Sequence, residues 1–363
     1  MFTLLDVQTL MRDLAATKVL SVYVETRATD PAMRDAWRSA LSTALRDLAT
    51  SLPEHEHPEF ERARAALEDL VPRRDSVPGG EGWVAFVTAT GARHAADVPT
   101  PSPTLVAWRE GPVIAPYMRM LKEHRPVIVA LVDSRSARLY RYAWGMLEEL
   151  PEMALSGDEH PAPGTVRGPG RRGKAFPAPR SATGTERASR RKEAAFESLA
   201  AELAARLTGL AGEDGWILIG GTREWARLAG EALPTHLTAR ATVSTALDHD
   251  ATAAEITEAA QHAATALRAA HGQELLNSLL ENAGTPGRAA TGVPAVQRAL
   301  RGRAVDLLVL SPTFVRGEAD EAEDAVRSAL LHGAEVEVLS GDAAERLDQT
   351  ANGVGARLRF AMG

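Results

Sequence analysis

The chain has 363 residues, 45% hydrophobic and 25% charged, which suits two or three domains at roughly 100–200 residues each and excludes global disorder. It has no cysteine, so disulfides, zinc ribbons, iron–sulfur clusters and thiol nucleophiles are excluded and a reducing, cytoplasmic setting is expected. The net charge is −7, and no window of about 18 consecutive apolar residues exists, so no membrane span is predicted.

Met1-Phe2-Thr3-Leu4-Leu5-Asp6 meets an acid at once and reads as the start of a helix, not as a secretory signal. Residues 19–25 are β-rich and read as a strand. Asp30 and Pro31 open a helix near Ala32–Leu52, whose apolar residues Trp37, Leu41, Leu45 and Leu48 repeat at threes and fours. A second helix runs from about Pro58 to Leu70. Ser76–Gly82 is a Pro/Gly turn, and Trp83–Thr88 and Thr104–Trp108 are strands with Pro99–Pro103 as the loop between them. These elements make an α+β N-terminal domain, 1–124.

Pro126–Val132 is an almost unbroken β-branched run, the pattern of a strand buried on both faces. Asp133-Ser134-Arg135 turns the chain into a hairpin partner at Ser136–Trp144. Ser156–Thr185 is irregular, rich in Gly, Pro and Arg; so long a stretch inside a domain usually carries function or disorder. A helix follows from Glu186 to Leu210, with Phe196, Leu199, Leu203, Leu207 and Leu210 along one stripe. Then come a strand (Trp216–Ile219), a helix from Thr222 to Glu231, a strand (Ala239–Ser244) and a helix (Thr252–Ala270). The order β-β-α-β-α-β-α gives an α/β central domain, 125–270.

The remainder, 271–363, reads as a small α/β C-terminal domain. It has helices at Glu274–Asn282, Pro294–Arg301 and Asp320–His332, with Gly333 at the C-terminal cap. A Gly/Pro turn lies at Gly284–Gly287. Strands fall at Val305–Ser311, Glu335–Leu339 and Gly355–Phe360, with a helical turn at Asp342–Gln349.

The charge is distributed unevenly. Between Arg167 and Lys192 nine basic residues stand against Glu186 alone, a local charge of +8 in a chain of −7. The nine are Arg167, Arg171, Arg172, Lys174, Arg180, Arg187, Arg190, Arg191 and Lys192. Four sit at the predicted start of a helix, where cations oppose the helix dipole at roughly 0.3–1 kcal/mol each. Arg187 also repels Arg190 and Arg191 at helical spacing. Local stability does not explain this arrangement; a phosphate backbone does, through counterion release. The segment has one aromatic, Phe176, so stacking on single-stranded bases is not the expected mode. The segment is read as RNA-binding, against the blander reading of a solvated loop with no partner.

Other motifs weigh less. Asp248-His249-Asp250 lacks the further ligands that a metal needs, and Asp250 or Thr252 reads better as a helix N-cap. Gly220-Gly221-Thr222 lacks phosphate-loop spacing and reads as a tight strand-to-helix turn. His55 and His57 read as surface residues on a loop. No catalytic residue, metal or cofactor is assigned.

Three stretches in order resemble the archaeal/eukaryotic peptide release factor and Pelota superfamily, over about 125–363. Val127 to Tyr140 resembles the opening hairpin of its central domain, and the polar loop and basic-ended helix follow in place. Ala299 to Leu310 resembles the strand entry of its last domain, and His332–Leu339 and Gly353–Phe360 its closing elements. The N-terminal part, with Leu20-Ser21-Val22-Tyr23-Val24, looks like the divergent first domain of bacterial members. The resemblance implies an α/β protein of three domains: the α+β first domain, a ribonuclease-H-like central domain, and a C-terminal domain like kink-turn-binding ribosomal proteins. It implies entry into the ribosomal A site, with ribosomal RNA and P-site tRNA near the loop and a translational GTPase of the elongation factor type as a further partner. One departure stands out: release factors carry Gly-Gly-Gln in this loop, whereas here the stretch reads Gly168-Pro169-Gly170-Arg171-Arg172-Gly173-Lys174, and no glutamine occurs between Gln8 and Gln261. The chain therefore looks more like Pelota and the Balon-like ribosome hibernation factors, which bind without that chemistry. The expected function is a non-catalytic factor occupying the A site of stalled or idle ribosomes. The rivals are a peptidyl-tRNA hydrolase using another loop residue and an interaction module for a translational GTPase.

Overall fold

The computed structural model describes residues 4–27, 36–71, 80–101, 103–133, 136–154, 200–283 and 288–360. The chain divides into two compact units: Met1–His124 with Arg268–Gly363, and Arg125–Leu267. Among the described residues there are three sheets.

The first unit holds two of them. After α1 (Leu4–Asp13) come β1 (Lys18–Glu25), α2 (Ala36–Ser51), α3 (His57–Glu68), β2 (Gly82–Thr88), β3 (Gly91–Val98) and β4 (Leu105–Glu110). The strands form an antiparallel sheet ordered β3-β2-β1-β4. One face of β1 and β2 packs on Trp37, Leu41 and Leu45 of α2 and Phe60, Ala63 and Leu67 of α3, the stripes that helical spacing dictates. Phe60 meets Trp108 edge to face at 5.7 Å.

The chain then forms α4 (Ala115–Glu123), which the sequence reading did not contain. Its N-terminus is closed by a distant residue. Glu323 Oε2 accepts the amides of Ile114 at 2.7 Å and Ala115 at 2.8 Å. On the same helix, Lys122 Nζ lies 3.1 Å from Glu337 Oε1, and its side chain is 3% exposed. Buried charges of this kind persist only when paired.

The C-terminal sheet is ordered β10-β13-β11-β12. Its strands are β10 (Ala289–Thr291), β11 (Val305–Leu310), β12 (Glu335–Val338) and β13 (Val354–Leu358). Only β11 and β12 run parallel among these pairs. Helices α9 (Val293–Arg301), α10 (Pro312–Gly317), α11 (Ala319–Leu331) and α12 (Gly341–Ala351) flank it. Ser311 Oγ caps α10 by accepting the Phe314 amide, and its hydroxyl donates to Asp348.

The second unit is a five-stranded sheet, β7-β6-β5-β8-β9. Here β5 (Val127–Val132), β6 (Ser136–Ala143) and β7 (Met146–Ala154) form an antiparallel meander, and β8 (Trp216–Gly221) and β9 (Ala241–Val243) run parallel to β5. In order of appearance this is 3-2-1-4-5, the ribonuclease-H-like topology. Strand β5 is buried on both faces, as its continuous apolar run requires. Ile128, Ala130 and Val132 pack with α5 (residues 200–211) and α6 (Arg223–Glu231). Val127, Val129 and Leu131 pack against the first half of α8 (Ala253–Ala283), through Ile256, Ala260 and Ala263. A four-residue helix, α7 (Thr235–Thr238), leads into β9.

Two expectations are corrected. The predicted helices Thr252–Ala270 and Glu274–Asn282 are one helix, α8 (Ala253–Ala283). His271-Gly272 does not break it, because a mid-helix glycine costs only about 1 kcal/mol. Strand β7 extends the predicted hairpin to three strands, so the central order is β-β-β-α-β-α-α-β-α.

Candidate functional site

Arg167, Arg171, Arg172, Lys174, Arg180, Arg187, Arg190, Arg191 and Lys192 all lie outside the described residues, as does the helix start predicted at Glu186. The structure does describe where the chain departs and where it resumes. Strand β7 ends at Ala154, which pairs with Ser136 at the first residue of β6. Because β6 is antiparallel to β5, that position lies at the carboxyl end of β5.

Description resumes in α5, which ends at residue 211 and is followed by β8 from Trp216. Twelve helical residues rise about 18 Å and six strand residues about 20 Å. Its first described turn, folded back on the sheet through Ala200, Leu203 and Leu207, therefore lies near the carboxyl end of β8. Both boundaries sit at one end of the central sheet. In open α/β sheets this is the end outside which ligands bind.

The described side chains at that end form a small polar cluster. Asp133 Oδ1 accepts the Ser136 amide at 2.7 Å and so closes the β5–β6 turn. His249 Nε2 lies 3.9 Å from Asp133 Oδ2. Arg138 Nη1 donates to the His249 carbonyl at 2.8 Å, and its guanidinium stands over the Tyr140 ring at 5.3 Å. Burial raises the Tyr140 hydroxyl above its ordinary value. These contacts pin the loop before α8 onto the β5–β6 hairpin.

The motifs weighed from the sequence resolve here. Asp250 is fully exposed, with Oδ1 3.4 Å from His249 Nδ1, on the other side of the ring from Asp133. Thr252 is the N-cap of α8: its amide and hydroxyl donate to Glu255 Oε2 at 2.8 and 2.7 Å, a reciprocal capping box. These hydrogen bonds hold the Glu255 carboxyl below its ordinary value. The glycine turn is also structural. Gly221 (φ +105°) donates to the Leu247 carbonyl at 2.6 Å, and Thr222 donates to the Val132 carbonyl at 2.9 Å. With both amides committed to the fold, that helix start has none left over from Gly221 or Thr222 for a phosphate. His55 is exposed as expected, but it sits in a short 3-10 turn, and His57 opens α3.

Sequence reasoning missed a second feature of this unit. Beside β9, the loop 244–251 and the first turns of α8 enclose a cavity of about 670 Å³. Its rim carries Asp248, Asp250, Glu255 and Glu258, His262 also lines it, and no lysine or arginine is among its described lining residues. The signal was present as four acids within residues 248–258, but their convergence on one groove depends on the topology.

Residues 112–265 match the family model of bacterial archaeo-eukaryotic release factor family 10. Among curated proteins, none matches. Several solved structures are similar in fold. Archaeoglobus fulgidus Pelota is 16% identical, with 80% of this chain and 82% of that one covered, at a TM-score of 0.35. S. cerevisiae Dom34, described as a translation termination-like factor interacting with Hbs1, is 10% identical, with 77% and 81% covered, at 0.44. A ribosome-bound archaeal Pelota is 14% identical, with 100% and 95% covered, at 0.44. The family match thus covers residues 112–265, which include the whole five-stranded central sheet, and the solved structures are similar to the chain in fold.

Proposed function

We propose that the protein is a non-catalytic, ribosome-binding translation factor that occupies the A site of stalled or idle ribosomes. In this reading the segment with Arg167 to Lys192 contacts ribosomal RNA or tRNA near the peptidyl transferase centre. A translational GTPase is a further partner, and the protein acts in the cytoplasm through three domains, 1–124, 125–270 and 271–363.

The observation that carries this reading is the placement of charge. A segment of +8 in a chain of −7 falls inside the release-factor match at 112–265. The nearest described residues on either side, Ala154 and Ala200, lie toward the same end of the central sheet. Phosphate contacts release counterions, so such a segment contributes binding that weakens with salt. The net negative remainder disfavours indiscriminate adhesion to RNA. The missing Gly-Gly-Gln supports binding over peptide release.

The test is cosedimentation with 70S ribosomes over a salt series, with wild type and a variant in which Arg171, Arg172, Arg190 and Arg191 become glutamine. Wild type pellets at low salt, and the variant pellets less with a shallower salt slope. Failure of wild type to pellet, or an unchanged variant, overturns the reading.

A further inference from the structure

Strand β9 is the last strand of the central sheet, and among the described residues nothing pairs with its outer edge. The Arg240 carbonyl accepts from Ile217, and the Ser244 amide donates to Ile219. By the alternation of a strand, the amides and carbonyls of Ala241 and Val243 therefore point away from the sheet. The Val243 side chain is 39% exposed, one of few large apolar side chains so placed among the described residues.

The two sides of this edge differ. On the α8 side lies the 670 Å³ groove, floored by Leu218, Leu247 and Ala263 and rimmed by Asp248, Asp250 and Glu258. On the α6 side lies a smaller hollow of about 260 Å³, lined by Gly230, Leu233 and Ala241 with Arg227 and Glu231 at its margin. Arg227 and Glu231 are paired with each other, so that margin carries no net charge.

We propose that the open edge of β9 and the acid-rimmed groove beside it form a docking site for an extended segment of a partner protein in which basic and apolar residues alternate. The segment adds to β9 as a sixth strand. Its backbone pairs with the outward groups of Ala241 and Val243. Because successive side chains point to opposite faces, one set enters the acidic groove and the other enters the α6-side hollow. Charge complementarity selects basic residues for the first set, because Asp248, Asp250 and Glu258 stand among described lining residues that include no lysine or arginine, His262 being the one imidazole there. The limited volume of the second side selects small apolar residues for the other. The acids alone would attract any cation; the edge and the alternation make the site specific for an extended chain.

The probe is a blocked seven-residue peptide of alternating arginine and valine, titrated into the full-length protein and followed by calorimetry. Two control peptides carry glutamate for arginine, or a central proline. The first protein variant is Val243→Pro, which removes an outward amide and replaces the valine side chain between the two hollows. The second is the pair Asp248→Asn with Glu258→Gln on the exposed rim, which keeps the site testable should the proline variant fail to fold by circular dichroism. Binding of the alternating peptide, with at least a tenfold loss in a folded Val243→Pro and a several-fold loss with weaker salt dependence in the rim variant, is the expected result. Equal binding of the proline peptide or of the glutamate peptide, no binding of the alternating peptide, or an unchanged rim variant overturns the proposal.

Discussion

Glu323 closes the N-terminus of α4 from a different part of the chain, its Oε2 taking the Ile114 amide at 2.7 Å. The carboxyl is almost fully buried, and burial pushes it up to about 7, against the pull of the two amide hydrogen bonds. Arg327, which donates to the carbonyls of Glu110 and Ala15, also favours the charged form. A group raised in the folded state stabilises fully below its ordinary value of 4.5, and that contribution is lost as pH rises through about 7. Glu323→Gln should therefore flatten the stability profile between pH 4.5 and 7 and be at least as stable as wild type at pH 8. Glu323→Ala orphans two amides and should cost roughly 2 kcal/mol at pH 6. Urea unfolding at several pH values checks both.

His94 has the opposite sign. Its ring stacks on Phe86 and meets the Tyr117 hydroxyl at 3.1 Å, and burial pushes it down to about 4. Its contribution is complete above the ordinary 6.5 and is lost as pH falls through about 4. His94→Gln should make unfolding less acid-sensitive in that window while losing about 1 kcal/mol of ring packing at pH 8. Thermal melts at pH 5 and pH 8 read both effects.

The pair Lys122–Glu337 is nearly dry, with exposures of 3% and 12%. Lys122→Ala strands a buried carboxylate and should cost about 3–5 kcal/mol. Lys122→Met combined with Glu337→Leu removes both charges and should fall within about 1 kcal/mol of wild type. Denaturant midpoints of the single and double variants separate the two cases.

Gly221 is fixed by geometry. Its φ is +105°, and an added Cβ would stand 2.1 Å from the Val132 carbonyl oxygen. Gly221→Ala should destabilise the central unit by about 3 kcal/mol or more, since backbone on the neighbouring strand must move. Hydrogen exchange of the Ile217–Ile219 amides would register the loss.

Should the protein be a binding factor, purified protein added to stalled ribosomal complexes releases no peptide. Turnover in that assay would favour the hydrolase reading.

The strands most legible in the sequence were those buried on both sides, β5, β8 and β11, because their apolar runs state their environment. Of the six edge strands among the described residues, β4, β9 and β12 were legible and β3, β7 and β10 were not. Strand β7, with Glu148, Glu149 and Glu152, and β3 and β10 are held by backbone pairing that leaves little apolar pattern. The predicted helices Thr252–Ala270 and Glu274–Asn282 are one helix because local propensity is a weak prior that packing overrides. The charge of residues 167–192 was legible as composition. Where it is moored was not, because that depends on how β6, β7 and α5 return to the same end of the sheet. The groove beside β9 was illegible for the same reason, being assembled from three elements.

The five described strands of the central sheet fall on both sides of residues 155–199, and the described chain stops and resumes at one rim. That insertion point behaves like a socket. The described strands and helices on either side of it pack with one another, so a change of length or charge confined to residues 155–199 leaves those contacts in place and can be tolerated where a change within β5 or β8 cannot.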